Sequence, residues 1–191
     1  MRAVLAAIAA GELDAEARIL VTNNRDCAAV AAADAAGLAW KHVSATSAGG
    51  ADAADHAIAQ ALADAGAELI VLSGYMRRLG PETLAHFKGR ILNIHPALLP
   101  RHGGHGLYGR RVHEAVRASG DTRSGASIHI VDADYDTGPV IAQAEVPVGP
   151  RDSVDDIEAR VRAIEPGLMV ETLRRIAEGE LRLASLTPED I

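Results

Sequence analysis

The chain has 191 residues, 48% of them hydrophobic but only 3% aromatic, and a formal net charge of -7. That length suits one α/β domain with a real core, and the small aromatic share means that Ala, Val, Ile and Leu must build it. The negative balance excludes any long-range attraction for nucleic acid or anionic lipid, so an anionic ligand must be held locally. Cys27 is the only cysteine, which rules out an internal disulfide and points to the cytoplasm. The apolar start, Met1 to Glu16, turns acidic too soon for a membrane span or a secretory leader. It reads as an amphipathic helix ended by Gly11.

From there helices and short apolar runs alternate. Arg18–Thr22 predicts a strand, Asp26–Ala36 a helix closed by Gly37, and Trp40–Val43 a short strand. Ala51–Ala65 predicts a helix closed by Gly66, Leu69–Leu72 a buried strand, and Pro81 the first turn of a short helix toward Phe87. Arg90–His95 predicts another strand, stopped by Pro96. Helices between continuous apolar strands predict a mainly parallel, twisted sheet with helices on both faces. Arg110–Ala118 predicts a helix. Ser127–Val131 and Val140–Ala144 predict a hairpin around the loop Asp132–Pro139. Ser153 is a good N-cap for a helix from Val154 to about Ala177, which Pro166 should kink or break. Leu181–Leu183 predicts a last strand.

Chemistry concentrates in Ile91-Leu92-Asn93-Ile94-His95-Pro96-Ala97-Leu98-Leu99-Pro100. Side chains alternate along a strand, so Asn93 and His95 share a face. Asn offers an uncharged donor and His a group that titrates near neutrality. Ligands of open α/β sheets bind at the carboxyl ends of strands. A capped turn and a satisfied core histidine explain the pair equally well on these grounds. Asp134-Tyr135-Asp136-Thr137-Gly138-Pro139 reads first as a turn, although a carboxylate is what His95 would need to hold its tautomer.

Together these segments resemble the formyltransferases that use 10-formyltetrahydrofolate. The resemblance rests on Asn93-x-His95-Pro96-Ala97-Leu98-Leu99-Pro100, on Ser127 to Val131, and on Asp136-Thr137-Gly138-Pro139-Val140-Ile141. Leu72 to Leu79 and Gly89 to Asn93 are most similar to the glycinamide ribonucleotide branch of that family. The resemblance covers nearly the whole chain and implies one domain, residues 1–191. Residues 1–100 would form a Rossmann-like, nucleotide-binding half, and residues 101–191 a folate-loop and C-terminal half.

The resemblance implies Asn93, His95 and Asp136 as catalytic residues. It implies donor contacts from Met76, Arg77, Arg78 and Leu79, from Asn93, and from Asp132, Ala133, Asp134, Tyr135 and Asp136. Arg162, Ala163, Ile164 and Glu165 would touch the ribonucleotide, with Pro166 where the family usually has His. The reaction implied is formyl transfer from 10-formyltetrahydrofolate to the amine of glycinamide ribonucleotide in purine biosynthesis, without a metal. Partners are small molecules, not nucleic acid or membrane, and a homodimer is left open. The family pattern opens with a strand and Gly-x-Gly-Ser-Asn, which holds a phosphate at a helix N-terminus. Met1–Leu5 corresponds to the helix after that loop, so the first strand and the phosphate cradle are expected to be missing.

A formyltetrahydrofolate hydrolase and an amino-sugar formyltransferase share the Asn-His-Asp set. A tRNA-directed formyltransferase is disfavoured by the acidic charge. A non-catalytic folate-binding or subunit-interaction protein is the reading of a different class. Gly104-His105-Gly106-Leu107-Tyr108-Gly109 matches a dinucleotide fingerprint by letter, but it follows Pro100 and not a strand. It reads as a loop into the next helix. His102, His105 and His113 read as solvated, since their spacing matches no strong zinc pattern. Arg110-Arg111 reads as a solvated helix start.

Overall fold

A computed structural model describes residues 1–183. The elements are α1 Arg2–Ala9, β1 Leu20–Thr22, α2 Ala28–Ala35, β2 Trp40–His42, α3 Ala45–Ala48, α4 Ala51–Asp64 and β3 Ile70–Leu72. They continue with α5 Pro81–His86, β4 Ile91–His95, α6 Arg110–Ser119, β5 Arg123–Ile130, β6 Val140–Pro147 and α7 Val154–Ala177. β1 and β2 form a parallel pair, while β3-β4-β5-β6 form a second sheet with β3 and β4 parallel. β5 runs antiparallel to β4 and β6 antiparallel to β5, so the hairpin is attached to the parallel part as expected.

β4 shows why helices cover both faces. Ile91 packs into a cluster with Val43, Ile58, Leu62, Leu79 and Phe87, on the side of α4 and α5. Its neighbour Leu92 points the other way, into a cluster with Ala7, Ile128, Met169 and Leu173, on the side of α1 and α7. Both are essentially inaccessible. Burying two such side chains contributes roughly 1.5–3 kcal/mol each. A third cluster, including Val116, Ala126, Val146, Ile157 and Val161, joins α6 and α7 to the hairpin. β5 is buried along nearly its whole length because it lies between two strands and under α7.

Two expectations need correction, and one short helix was not foreseen. Pro166 lies inside an unbroken α7 of 24 residues. It removes one backbone donor, but the helix is held by packing of Ile157, Val161, Met169 and Leu173 on both sides of it. Leu181–Leu183 forms no strand, and Leu183 instead packs against the second cluster. α3 went unread because only four residues form it, started by a capping box between Ser44 and Ser47. Among the described residues no helix is long and apolar enough to cross a membrane.

α5 is held from outside. Buried Asp55 of α4 accepts from the backbone N–H of Glu82 at 2.8 Å and of Thr83 at 3.2 Å, and from the Thr83 hydroxyl at 2.5 Å. This carboxylate supplies the cap that Gly80 cannot. It thereby fixes the exit of the segment that runs from β3 to α5.

Candidate active site

The antiparallel register of β4 and β5 sets the site. Asn93 stands opposite His129 and His95 opposite Ser127. Period-two alternation therefore puts four polar side chains on one patch of sheet. Ser127 is fully buried and structural. Its hydroxyl donates to the Ala97 carbonyl at 2.6 Å and accepts from the Leu99 N–H at 2.9 Å, so it fixes the chain leaving β4. Gln143 of β6 adds hydrogen bonds to Ser127 at 2.8 Å and to the Leu99 carbonyl at 3.0 Å.

Asp136 reaches the same patch from the loop between β5 and β6. Asp132 ties that loop, accepting from the Asp134 N–H at 3.1 Å and the Thr137 hydroxyl at 2.8 Å. Gly138 is required at the return, because a Cβ there would stand 1.8 Å from the Ile130 carbonyl oxygen. Asp136 itself has a φ of 57°, a left-handed conformation that Asp tolerates better than most residues. Its Oδ2 lies 3.4 Å from His95 Nδ1 and its Oδ1 3.4 Å from His129 Nε2. The Gly104 N–H donates to Oδ2 at 3.0 Å.

One tautomer follows from an acceptor that cannot donate. His95 Nε2 lies 2.8 Å from the His102 carbonyl, so the proton sits on Nε2 and neutral His95 has a bare Nδ1 toward Asp136. His129 Nδ1 lies 3.1 Å from the Ile130 carbonyl. His129 Nε2 lies between the Asn93 amide nitrogen at 3.1 Å and Asp136 Oδ1 at 3.4 Å. The amide is thus held with its NH2 end toward the patch, and one N–H remains uncommitted to His129.

Burial pushes the His95 imidazole below its ordinary range, against the raising effects of Asp136 and the His102 carbonyl. Burial works the other way on Asp136 and would raise it. The His129 and His95 rings and the Gly104 N–H outweigh that and hold its carboxyl below the usual range. The pair therefore combines an imidazole that burial keeps neutral with a fixed carboxylate. Proton acceptance by His95 Nδ1 would create an imidazolium facing Asp136, which is general acid–base equipment.

The two segments expected to meet a donor touch each other. Arg78 donates to the Ala133 carbonyl, lies 3.6 Å from the Asp134 carboxylate, and sits over the Tyr135 ring at 5.8 Å. Met76 and Tyr135 are exposed, whereas Leu79 turns into the first core cluster. Arg162 and Ala163 are exposed on α7, Ile164 packs on the third cluster, and Glu165 is half-buried. Burial raises the Glu165 carboxyl above its usual range, with Arg162 opposing.

His113 of α6 corrects the expectation of solvated histidines. It is buried, its Nδ1 has no partner, and burial lowers its imidazole while Glu158 raises it. Arg162 and His95 both act on it electrostatically, so it lies between α7 and β4. His102 is also mostly buried, while His105 is exposed and meets Tyr135 edge-on at 5.6 Å. Arg110 and Arg111 are exposed at the start of α6, as expected, and Arg110 pairs there with Asp155, Glu114 and Glu158. Among the described residues no metal-ligand group of His, Cys, Asp and Glu forms. The residue that sequence reading missed is His129. The signal was available: in Ser127-Ile128-His129 the polar positions alternate, and antiparallel pairing on β4 would bring them to His95 and Asn93.

Comparison with known proteins agrees with this architecture. The chain is 36% identical over 175 residues to the chloroplastic phosphoribosylglycinamide formyltransferase of Arabidopsis thaliana, covering 90% of this chain and 59% of that protein. It is 33% identical over 183 residues to the phosphoribosylglycinamide formyltransferase of Escherichia coli strain K12, covering 96% of this chain and 84% of that one. Its fold superposes on the glycinamide ribonucleotide transformylase 1 of Symbiobacterium toebii with a TM-score of 0.87 at 32% identity, covering 95% and 83% of the two chains. The sequence pattern of the formyl transferases matches residues 1–173, and the chain belongs to the formyl transferase family.

Proposed function

We propose that the protein transfers the formyl group of 10-formyltetrahydrofolate to the amine of glycinamide ribonucleotide, a step of purine biosynthesis. The observation that carries this reading is the meeting of Asn93, His95 and Asp136 at the end of β4, with His95 Nδ1 3.4 Å from the Asp136 carboxylate. Similarity to proteins named for this activity supports the choice of acceptor. We read residues 1–100 as a nucleotide-binding-like half and residues 101–191 as the folate-loop half, of which residues 184–191 lie outside the described structure. The lone, free Cys27 suits a cytoplasmic setting.

In this scheme the donor lies against Met76, Arg77, Arg78 and Leu79 on one side and Asp132 to Asp136 on the other. The acceptor lies toward Arg162, Ala163, Ile164 and Glu165. The acceptor amine attacks the formyl carbon, a C–N bond forms, and the carbonyl oxygen gains negative charge. The free N–H of Asn93 donates to that oxygen. One amine proton passes, by way of His95 Nδ1 and Asp136, to the folate nitrogen, whose bond to carbon then breaks. Atoms and charge balance, and only protein groups are used.

The discriminating experiment mixes protein and 10-formyltetrahydrofolate with and without glycinamide ribonucleotide. The reading requires formylated ribonucleotide and free tetrahydrofolate only when acceptor is present. Formate release at the same rate without acceptor would identify a hydrolase, and tight folate binding with no turnover a binding protein.

A further inference from the structure

The segment His102–Gly104 touches both members of the His95–Asp136 pair through main-chain atoms alone. The His102 carbonyl accepts the His95 Nε2 proton at 2.8 Å, and the Gly104 N–H donates to Asp136 Oδ2 at 3.0 Å. Gly103 between them has no room for a side chain. A Cβ would lie 2.4 Å from Leu99 Cδ2 and 3.2 Å from Asp136 Cβ. The segment is a clamp laid across the pair, with an acceptor on His95 Nε2 and a donor on Asp136.

A clamp made of backbone needs an anchor. His102 has a φ of 57°, a conformation that non-glycine residues avoid unless their surroundings impose it. The side chain of His102 is held by Asp121. His102 Nε2 lies 2.7 Å from Asp121 Oδ2, and Arg101 reaches Asp121 Oδ1 at 2.6 Å. Asp121 stands in the turn between α6 and β5, just after Gly120 with its left-handed φ of 72°. Its carboxyl is held below the usual range, chiefly by the His102 hydrogen bond. A cavity lined by Leu98, Arg101, His102, Asp121 and Ser124 opens beside this anchor, so it can be altered without entering the core.

We propose that Asp121 and the His102 side chain are positioning residues, which hold the 102–104 backbone so that His95 keeps its proton on Nε2 and Asp136 keeps its amide donor. The proposal rests on the formyl-transfer reading for its consequence in turnover, but not for its consequence in the resting protein. With the anchor intact, His95 presents a bare Nδ1 to Asp136. Without it, the His102 carbonyl is free to move, and the two neutral tautomers of His95 become closer in energy.

The test combines nitrogen-15 NMR of the histidine rings in the ligand-free protein with single-turnover transfer. The neutral wild-type His95 is expected as the Nε2-protonated tautomer. Asp121→Ala is expected to give a mixture and to slow transfer about tenfold, since small misplacements of reacting groups cost this much or more. The KM for the donor should stay nearly constant, because its contacts lie elsewhere. Asp121→Asn keeps an oxygen acceptor for the His102 N–H and should recover most of both signals. His102→Gly accepts the positive φ but lacks the anchor, and should behave like Asp121→Ala. An unchanged His95 tautomer in folded Asp121→Ala and His102→Gly proteins overturns the proposal. If wild-type protein transfers no formyl group, the functional reading fails, and the NMR result still decides the anchor.

Discussion

In the proposed scheme Asn93 meets the negative charge that develops on the formyl oxygen. Its amide nitrogen lies 3.1 Å from His129 Nε2, which orients the amide and leaves one N–H for an oxyanion. Asn93→Ala should therefore slow transfer by about 3 kcal/mol, as removal of comparable donors does. Donor affinity and melting temperature should change far less, and stopped-flow transfer with a parallel binding titration reads both. His95 and His113 supply a second residue-level expectation. Both imidazoles are lowered, chiefly by burial. The unfolded chain then takes up protons that the folded one refuses, so stability rises with pH. Their contribution is complete above an ordinary imidazole pKa of about 6.5 and is lost as the pH falls through the lowered folded values. Asp136, also lowered, acts in the same direction further into acid. Urea denaturation between pH 7.5 and 5.5 should show falling stability, with a shallower slope in His113→Gln.

Elements place these residues, and there the sequence was most informative. β4 and its exit, the hairpin of β5 and β6, and the cap at Ser153 could all be read from apolar runs, prolines and a capping serine. The Asn93–His95 pair was visible as a strand-end motif. Asp136 was only a turn until family resemblance singled it out. What could not be read were contacts across sequence distance: His129 facing Asn93, the His102 carbonyl on His95, and buried His113. Such contacts depend on register and on loop backbone, which local spacing does not encode. Pro166 misled because propensity was weighed without the packing on either side of it. Asp55 is another long-range device, capping α5 from α4. Asp55→Ala should cost about 2 kcal/mol of stability, because buried N–H groups lose a charged acceptor. Chemical denaturation measures it. A loss below a few tenths of a kcal/mol would mean that water replaces the cap.

At the scale of the molecule, the site exists where three apolar clusters meet around β4 and β5. Ile91 serves the first, and Leu92 with Ile128 the second. Ala126 serves the third. Core and site share two strands, yet their side chains do different work. Leu92→Ala should destabilise by roughly 2–5 kcal/mol through lost burial and a cavity. Transfer per folded molecule should remain close to wild type. The catalytic variants should show the reverse pattern, with little change in stability and a large change in rate. The net charge of -7 leaves any anionic ligand dependent on local groups, which in the proposed scheme are Arg77, Arg78 and Arg162. The central claim, that His95 and its partners perform formyl transfer, is tested most directly by single-turnover transfer from 10-formyltetrahydrofolate to glycinamide ribonucleotide in wild type and His95→Ala. Melting curves and donor titrations on the same samples show whether each protein is folded and loaded. The account predicts a rate lower by at least about a hundredfold in a folded variant that binds donor as before. Wild-type transfer by folded His95→Ala protein would contradict it.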